Sequence, residues 1–163
     1  MNAVINASPL IFLSKLDMLE CLKIFDMVYT TNIVIHEIEV GLEKGYPEAL
    51  LVKKLVADEF LIVKDKKPKE NELGLHPGEL SIIELARELK IENIIVDDKT
   101  AIQASKYFGL KVTSTPFLLL KNLKNGKIEL IDFRIAMDRL ISFGYFISPN
   151  LYMKIIEKAE SFE

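Results

Sequence analysis

Carboxylates set among apolar residues are the groups of this sequence best suited to chemistry. Asp97 and Asp98 are adjacent in "IIVDDKTA", directly after a β-branched run at 94–96. Glu37 lies in "NIVIHEIEVGL", and on a helix its neighbours three and four positions away are Ile33, Val34, Val40 and Gly41. All four are apolar or small, so Glu37 falls in the stripe that should face the core. A lone carboxylate there is costly unless it is paired or bound to a cation. Glu79, in "HPGELSIIELA", repeats the pattern, with Ile82, Ile83 and Ala86 three, four and seven positions on. Each acid except Asp97 also has a plainer reading. Asp98 can cap the helix that follows, Glu37 can sit at the edge of its stripe and reach solvent, and Glu79 can oppose the dipole of its own helix.

Gathered in one place, these acids would repel and raise one another's pKa. A hard divalent cation such as Mg²⁺ or Mn²⁺ relieves that repulsion, because it prefers oxygen ligands. Other chemistries have less support. One cysteine and two histidines, His36 and His76, are too few for a zinc cage, and there is no G-x-S-x-G nucleophile elbow. Neither G-x-G-x-x-G nor G-x-x-x-x-G-K-[ST] occurs.

The elements that must position these acids alternate. Short apolar strands are predicted at 3–5, 25–29, 60–63, 94–96 and 111–113. Between them lie a helix capped by Ser8, with Pro9 at its first position, that continues through 16–24, and helices at 32–43, 47–57, 77–90 and 98–108. A polar loop occupies 64–76, and three further helices are predicted at about 116–124, 131–143 and 149–161. Strands separated by helices imply βαβ units and a parallel sheet covered on both faces. Ligands of such sheets bind beyond the carboxyl ends of the strands, where the strand order reverses. Asn6 closes the first strand, in "AVINASPLI". As an amide it is neither acid, base nor nucleophile, but its carbonyl oxygen can ligate a hard cation.

The bulk numbers narrow the class. The 163 residues favour one domain, 1–163, with a helical extension from about 129. Half the residues are hydrophobic and 28% are charged, which excludes wholesale disorder. A net charge of -3 leaves any nucleic-acid contact to local patches. The single Cys21 cannot staple the fold and reads as a buried small hydrophobe in a reducing compartment. No apolar run approaches the roughly 20 residues of a bilayer span, and no basic region precedes the first apolar run. The expected location is the cytoplasm, with no membrane partner.

The motifs, in order, resemble those of the PIN-domain family, in particular a prokaryotic branch with a "GE" helix start and a "DD" pair. The matching pieces are "NASPLI" at 6–11, "VIHEI" at 34–38, "GELSIIELA" at 78–86, "IIVDDKTA" at 94–101, "FGLKVTST" at 108–115, "LLKNLKNGKI" at 119–128 and "LISFGYFIS" at 140–148. The resemblance implies a three-layer α/β/α sandwich with a five-stranded parallel sheet of order 3-2-1-4-5 and a C-terminal helical extension. It implies a metal-dependent ribonuclease acting on RNA, many members being toxins held by a small antitoxin protein. Carried onto this chain, Glu37, Glu79 and Asp97 take the acidic catalytic positions. Asn6, Glu37, Glu79, Asp97 and Asp98 form the set for Mg²⁺ or Mn²⁺. Three departures stand out: Asn6 replaces the usual first-strand acid, Ile102 stands where an arginine is frequent, and Ser114 stands where glycine often precedes Thr115.

Other groups surround this set. Lys64, Lys66, Lys67 and Lys69 could track an RNA backbone, or form a solvated loop balanced by Asp65 and Glu70. Lys121, Lys124 and Lys127 form a second basic edge. Phe143, Tyr145 and Phe146 could stack on bases, pack the last helices, or form the surface of a homodimer. Two competing classes remain: a PIN-like scaffold that no longer cuts and serves as a binding or assembly module, and a phosphoacceptor receiver-like domain. The latter expects its Asp pair near the first strand rather than after the fourth.

Overall fold

The structure is a computed structural model that describes residues 1–45, 47–67 and 69–162, so Pro68 of the basic loop lies outside the described residues. Five strands, β1 (Ala3–Ile5), β2 (Val28–Thr31), β3 (Leu61–Lys64), β4 (Asn93–Ile95) and β5 (Lys111–Thr113), form one parallel sheet of order β3-β2-β1-β4-β5. Val4 is the central rung, beside Tyr29 on one side and Ile94 on the other. The central strands β1, β2 and β4 are almost wholly buried, which explains their apolar, non-alternating sequences, while the edge strands β3 and β5 are partly exposed.

Right-handed crossovers dictate the layers. The connections leaving β1 toward β2 and β3 carry α1 (Ala7–Leu16), α2 (Asn32–Glu43) and α3 (Glu48–Ala57), with α1 packed on both of the others. The connections toward β4 and β5 run the opposite way and place α4 (Pro77–Glu88) and α5 (Lys99–Tyr107) on the other face. The reversal falls between β1 and β4. The last helices, α6 (Thr115–Lys124), α7 (Leu130–Ser142) and α8 (Pro149–Glu160), complete the sandwich. Phe133, Ala136, Met137 and Leu140 line the buried side of α7 at helical spacing, and Ile155 and Ala159 do the same for α8. The extension is thus part of the hydrophobic core.

Most predicted boundaries move by one to three residues, but two differences near the site have clear causes. First, α1 begins at Ala7, so Asn6 rather than Ser8 takes the extended capping position, and Asn6 makes no side-chain capping bond. Pro9 still sits in the first turn, where a missing N–H breaks no helical bond. Second, 16–24 does not continue that helix. Asp17 takes a left-handed conformation (φ 58°), and its N–H and that of Met18 return to Ser14 O and Leu13 O. A 3₁₀ turn, Leu19–Ile24, follows.

Candidate functional site

Strand pairing carries Asn6 to the switch point. Its N–H donates to Ile95 O at 3.0 Å, and Thr30 Oγ1 donates to Ile5 O at 2.9 Å, so three strand ends are sewn together there. Asn6 is 5% exposed, and its buried Oδ1 has no hydrogen-bond partner among the described residues. A buried carbonyl oxygen left in that state costs free energy that a ligand can recover.

A cavity of about 510 Å³ opens beside it, lined by Asn6, Glu37, His76, Glu79 and Asp98. Each acid arrives by its own route. Glu79 is buried at the third position of α4, where its Oε2 accepts from His76 N at 3.0 Å. Asp98 caps α5, its Oδ1 accepting from Thr100 N at 2.7 Å and Ala101 N at 3.0 Å. The plain reading of Asp98 therefore holds for one oxygen and still leaves the side chain on the cavity wall. Glu37 is exposed as a residue, yet its carboxylate lies against the first turn of α4. A β-carbon at Gly78 would stand 2.9 Å from Glu37 Cδ and Oε2, and closer still to Oε1.

Asp97 is differently placed. Its Oδ1 accepts from Thr115 N at 2.7 Å and from Tyr145 Oη at 2.9 Å, and its Oδ2 accepts from Thr115 Oγ1 at 2.7 Å. Asp97 thus ties β4 to the start of α6 and to the turn between α7 and α8. With Ser8 it lines a second cavity of about 530 Å³, walled by Phe12, Phe117, Tyr145 and Phe146. Ser8, Phe12 and Asp98 face both cavities. The structure therefore brings Asn6, Glu37, Glu79 and Asp98 to one cavity and turns Asp97 into the adjoining one.

The electrostatics follow from this crowding. Burial raises the Glu37 carboxyl above its ordinary range, and repulsion from Glu79 raises it further; His76 and the Gly78 N–H act in the opposite sense. Burial likewise raises Glu79, against the pull of the His76 N–H, and the charge of neighbouring Asp98 raises it further. Burial also raises Asp97, against the pull of its hydrogen bonds. Such groups add stability below the ordinary carboxylate range and lose it as pH rises through their raised values. Exposed Glu88 and Glu92, held low by Lys66 and Lys111, act in the other direction and below that range. The metal-free protein is therefore expected to lose melting temperature as pH rises from about 4.5 through those raised values. The double variant Glu37→Gln/Glu79→Gln should show a flatter slope. Thermal melts across that interval check this, and an unchanged slope in the variant contradicts it.

The donor set suits a hard divalent cation: an amide oxygen with no partner among the described residues and three carboxylates, two of them raised by burial and by a neighbouring carboxylate. Among the described residues no three His, Cys, Asp or Glu side chains close on one point, so the acids line the cavity rather than form a finished cage.

The surrounding cations are largely engaged. Lys66 pairs with Glu88 and Lys69 with Glu84, both on α4, rather than with Asp65 and Glu70. The Lys66 backbone is also clasped by the Asn32 amide. Lys121 donates to Thr113 Oγ1 at 2.9 Å and its pKa is lowered by burial. Tyr145 was not legible as a partner of Asp97, 48 residues away in sequence. Its ring stacks edge-on with Phe12 at 5.1 Å, and burial raises its hydroxyl pKa. Phe146 is 92% exposed.

Fold and site together define a doubly wound α/β protein with an acidic cavity at its switch point. The family model described as DUF3368, PIN domain, matches residues 2–161. The chain belongs to the PIN-domain family, whose members are generally nucleases using divalent metal ions. Among solved structures it is similar to a PilT N-terminus domain protein from the hyperthermophilic archaeon Sulfolobus solfataricus. That match has 24% identity and a TM-score of 0.50, covering 76% of this chain and 94% of the other. No curated protein matches the chain. No helix among the described residues is long and apolar enough to cross a membrane.

Proposed function

We propose that this protein is a Mg²⁺- or Mn²⁺-dependent ribonuclease that hydrolyses RNA phosphodiesters. The observation that carries the reading is the partnerless buried oxygen of Asn6 in a cavity shared with Glu37, Glu79 and Asp98. When bound, the cation would supply Lewis acidity toward the phosphodiester and lower the pKa of an attacking water. The chain supplies the rest. Asn6 offers a neutral oxygen from a rigid strand end, while Glu37, Glu79 and Asp98 offer negative charge from three separate helix starts or faces. Asp97 belongs to the proposed set through the neighbouring cavity, where it fixes the backbone from which Asp98 projects. His76, on the cavity rim, moderates the charge of both glutamates.

The test is cleavage of varied RNAs with added Mn²⁺, with and without chelator, in wild type and Glu79→Gln. Cleavage that disappears with chelator and in the variant is expected. Wild type no more active than Glu79→Gln on every RNA would sink the catalytic reading.

Two observations favour a second reading, a PIN scaffold that binds without cutting. Asn6 lacks the charge of an acid, and the Asp97 carboxylate is already satisfied by Thr115 and Tyr145. Calorimetric Mn²⁺ binding without RNA cleavage is its signature. The role of toxin restrained by a small antitoxin rests on family resemblance. Co-purification with the product of an adjacent reading frame, with loss of RNA cleavage in the complex, is its test.

A further inference from the structure

We infer that Gly78 is a positioning residue whose missing β-carbon lets the Glu37 carboxylate dock on the first turn of α4 beside Glu79. The inference rests on reading this cavity as the cation site.

The backbone does not demand glycine here. Gly78 is buried at the second position of α4, and it is not among the glycines of positive φ. Glycine in a helix is entropically worse than alanine, so local structure favours replacing it. What opposes replacement is Glu37. Its Oε1, Oε2 and Cδ crowd the place a β-carbon would take, Cδ and Oε2 at 2.9 Å and Oε1 closer, and the nearby Gly78 N–H favours the charged form of the carboxylate.

The approach is held from both sides. Val34 N donates to Thr31 Oγ1 at 3.2 Å, Thr31 Oγ1 and Ser81 Oγ share a bond at 2.8 Å, and Ser81 Oγ donates to Gly78 O at 2.7 Å. All three links are buried, and they join the start of α2, which carries Glu37, to the first turn of α4. With the two backbones so fixed, a β-carbon at 78 can be accommodated only by moving the Glu37 side chain. That chain is exposed and can swing into solvent. The same turn restrains Glu79 through His76 N. One turn of helix therefore holds two carboxylates at the cavity, Glu79 by the His76 N–H and Glu37 by close packing on Gly78.

The experiment is a double-mutant cycle on the full chain with Gly78→Ala, Glu37→Ala and the pair, read by metal-free thermal melts and by Mn²⁺ calorimetry. Without metal, Gly78→Ala should raise the melting temperature more in the Glu37→Ala background than in wild type, because the clash is gone there. With metal, Gly78→Ala should weaken Mn²⁺ binding roughly 10–100-fold in wild type, the usual effect of losing an orienting partner. It should weaken it no further when Glu37 is already alanine. A metal-free cycle without coupling overturns the inference, whether or not Mn²⁺ binds. Wild-type affinity in Gly78→Ala also overturns it. If wild type fails to bind Mn²⁺, the cation reading fails and the metal-free cycle alone decides the positioning role.

Discussion

Asp97→Ala is expected to lower the unfolding free energy by about 3–5 kcal/mol, a large effect for one side chain. Three donors lose their acceptor at once: the Thr115 N–H, the Thr115 hydroxyl and the Tyr145 hydroxyl. The first of these belongs to the opening turn of α6, whose own capping residue, Ser114, makes no side-chain capping bond. The carboxylate therefore does for α6 what a local cap would ordinarily do, from 18 residues away. Hydrogen bonds to a charged acceptor contribute about 1.5–3 kcal/mol each, so the gross loss exceeds the expected net. Desolvation accounts for the difference, since burial already raises the Asp97 carboxyl. Asp97→Asn, which keeps an acceptor and removes the buried charge, should be clearly milder. Tyr145→Phe keeps the ring against Phe12 and should cost about 1 kcal/mol. Urea unfolding of the three variants checks the order. If Asp97→Ala proves as stable as wild type, the three-donor hub is not holding the C-terminal helices.

This division between Asp97 and Asp98 marks where sequence reading reached its limit. Periodicity and element order were enough for the parallel sheet and its helices, because buried strands and amphipathic helices advertise themselves in adjacent residues. The strand order followed from family resemblance. Glu79 and Asp98 were legible for the same local reason: each sits at a helix start next to a recognisable apolar run. What could not be read was which way neighbouring side chains turn. Asp97 and Asp98 are adjacent, yet one faces Thr115 and Tyr145 while the other faces Glu79. Those partners come from α4, α6 and the turn before α8, and no spacing in the sequence links them. The stop at Asp17 was hidden too, since a left-handed residue there is an aspartate rather than the glycine that would have signalled it. Gly78 was visible as half of a "GE" pair, but its meaning lay in Glu37, 41 positions earlier, and only the tertiary contact supplies it.

Asn6→Asp should act in opposite directions with and without metal. Locally the change is easy: aspartate caps a helix as well as asparagine does, and a negative charge suits the start of α1. Its effect therefore reports on the cavity. Without metal, a fourth carboxylate enters a buried position facing Glu37, Glu79 and Asp98, where burial and repulsion already raise both glutamates. A loss of about 1–3 kcal/mol is expected, growing as pH rises and the two glutamates ionise. With saturating Mn²⁺ the sign reverses. The added charge should tighten binding by at least tenfold, and a tenfold gain in affinity returns about 1.4 kcal/mol of stability, a hundredfold gain about 2.7. Melting curves of wild type and variant should therefore cross as Mn²⁺ is added, and RNA cleavage should rise with the tighter metal. If the variant loses stability in both conditions and binds Mn²⁺ no better, the partnerless Oδ1 does not mark a ligand position. Asn6 would then be an amide that shapes the turn from β1 into α1, and the non-cutting scaffold becomes the better account of this cavity.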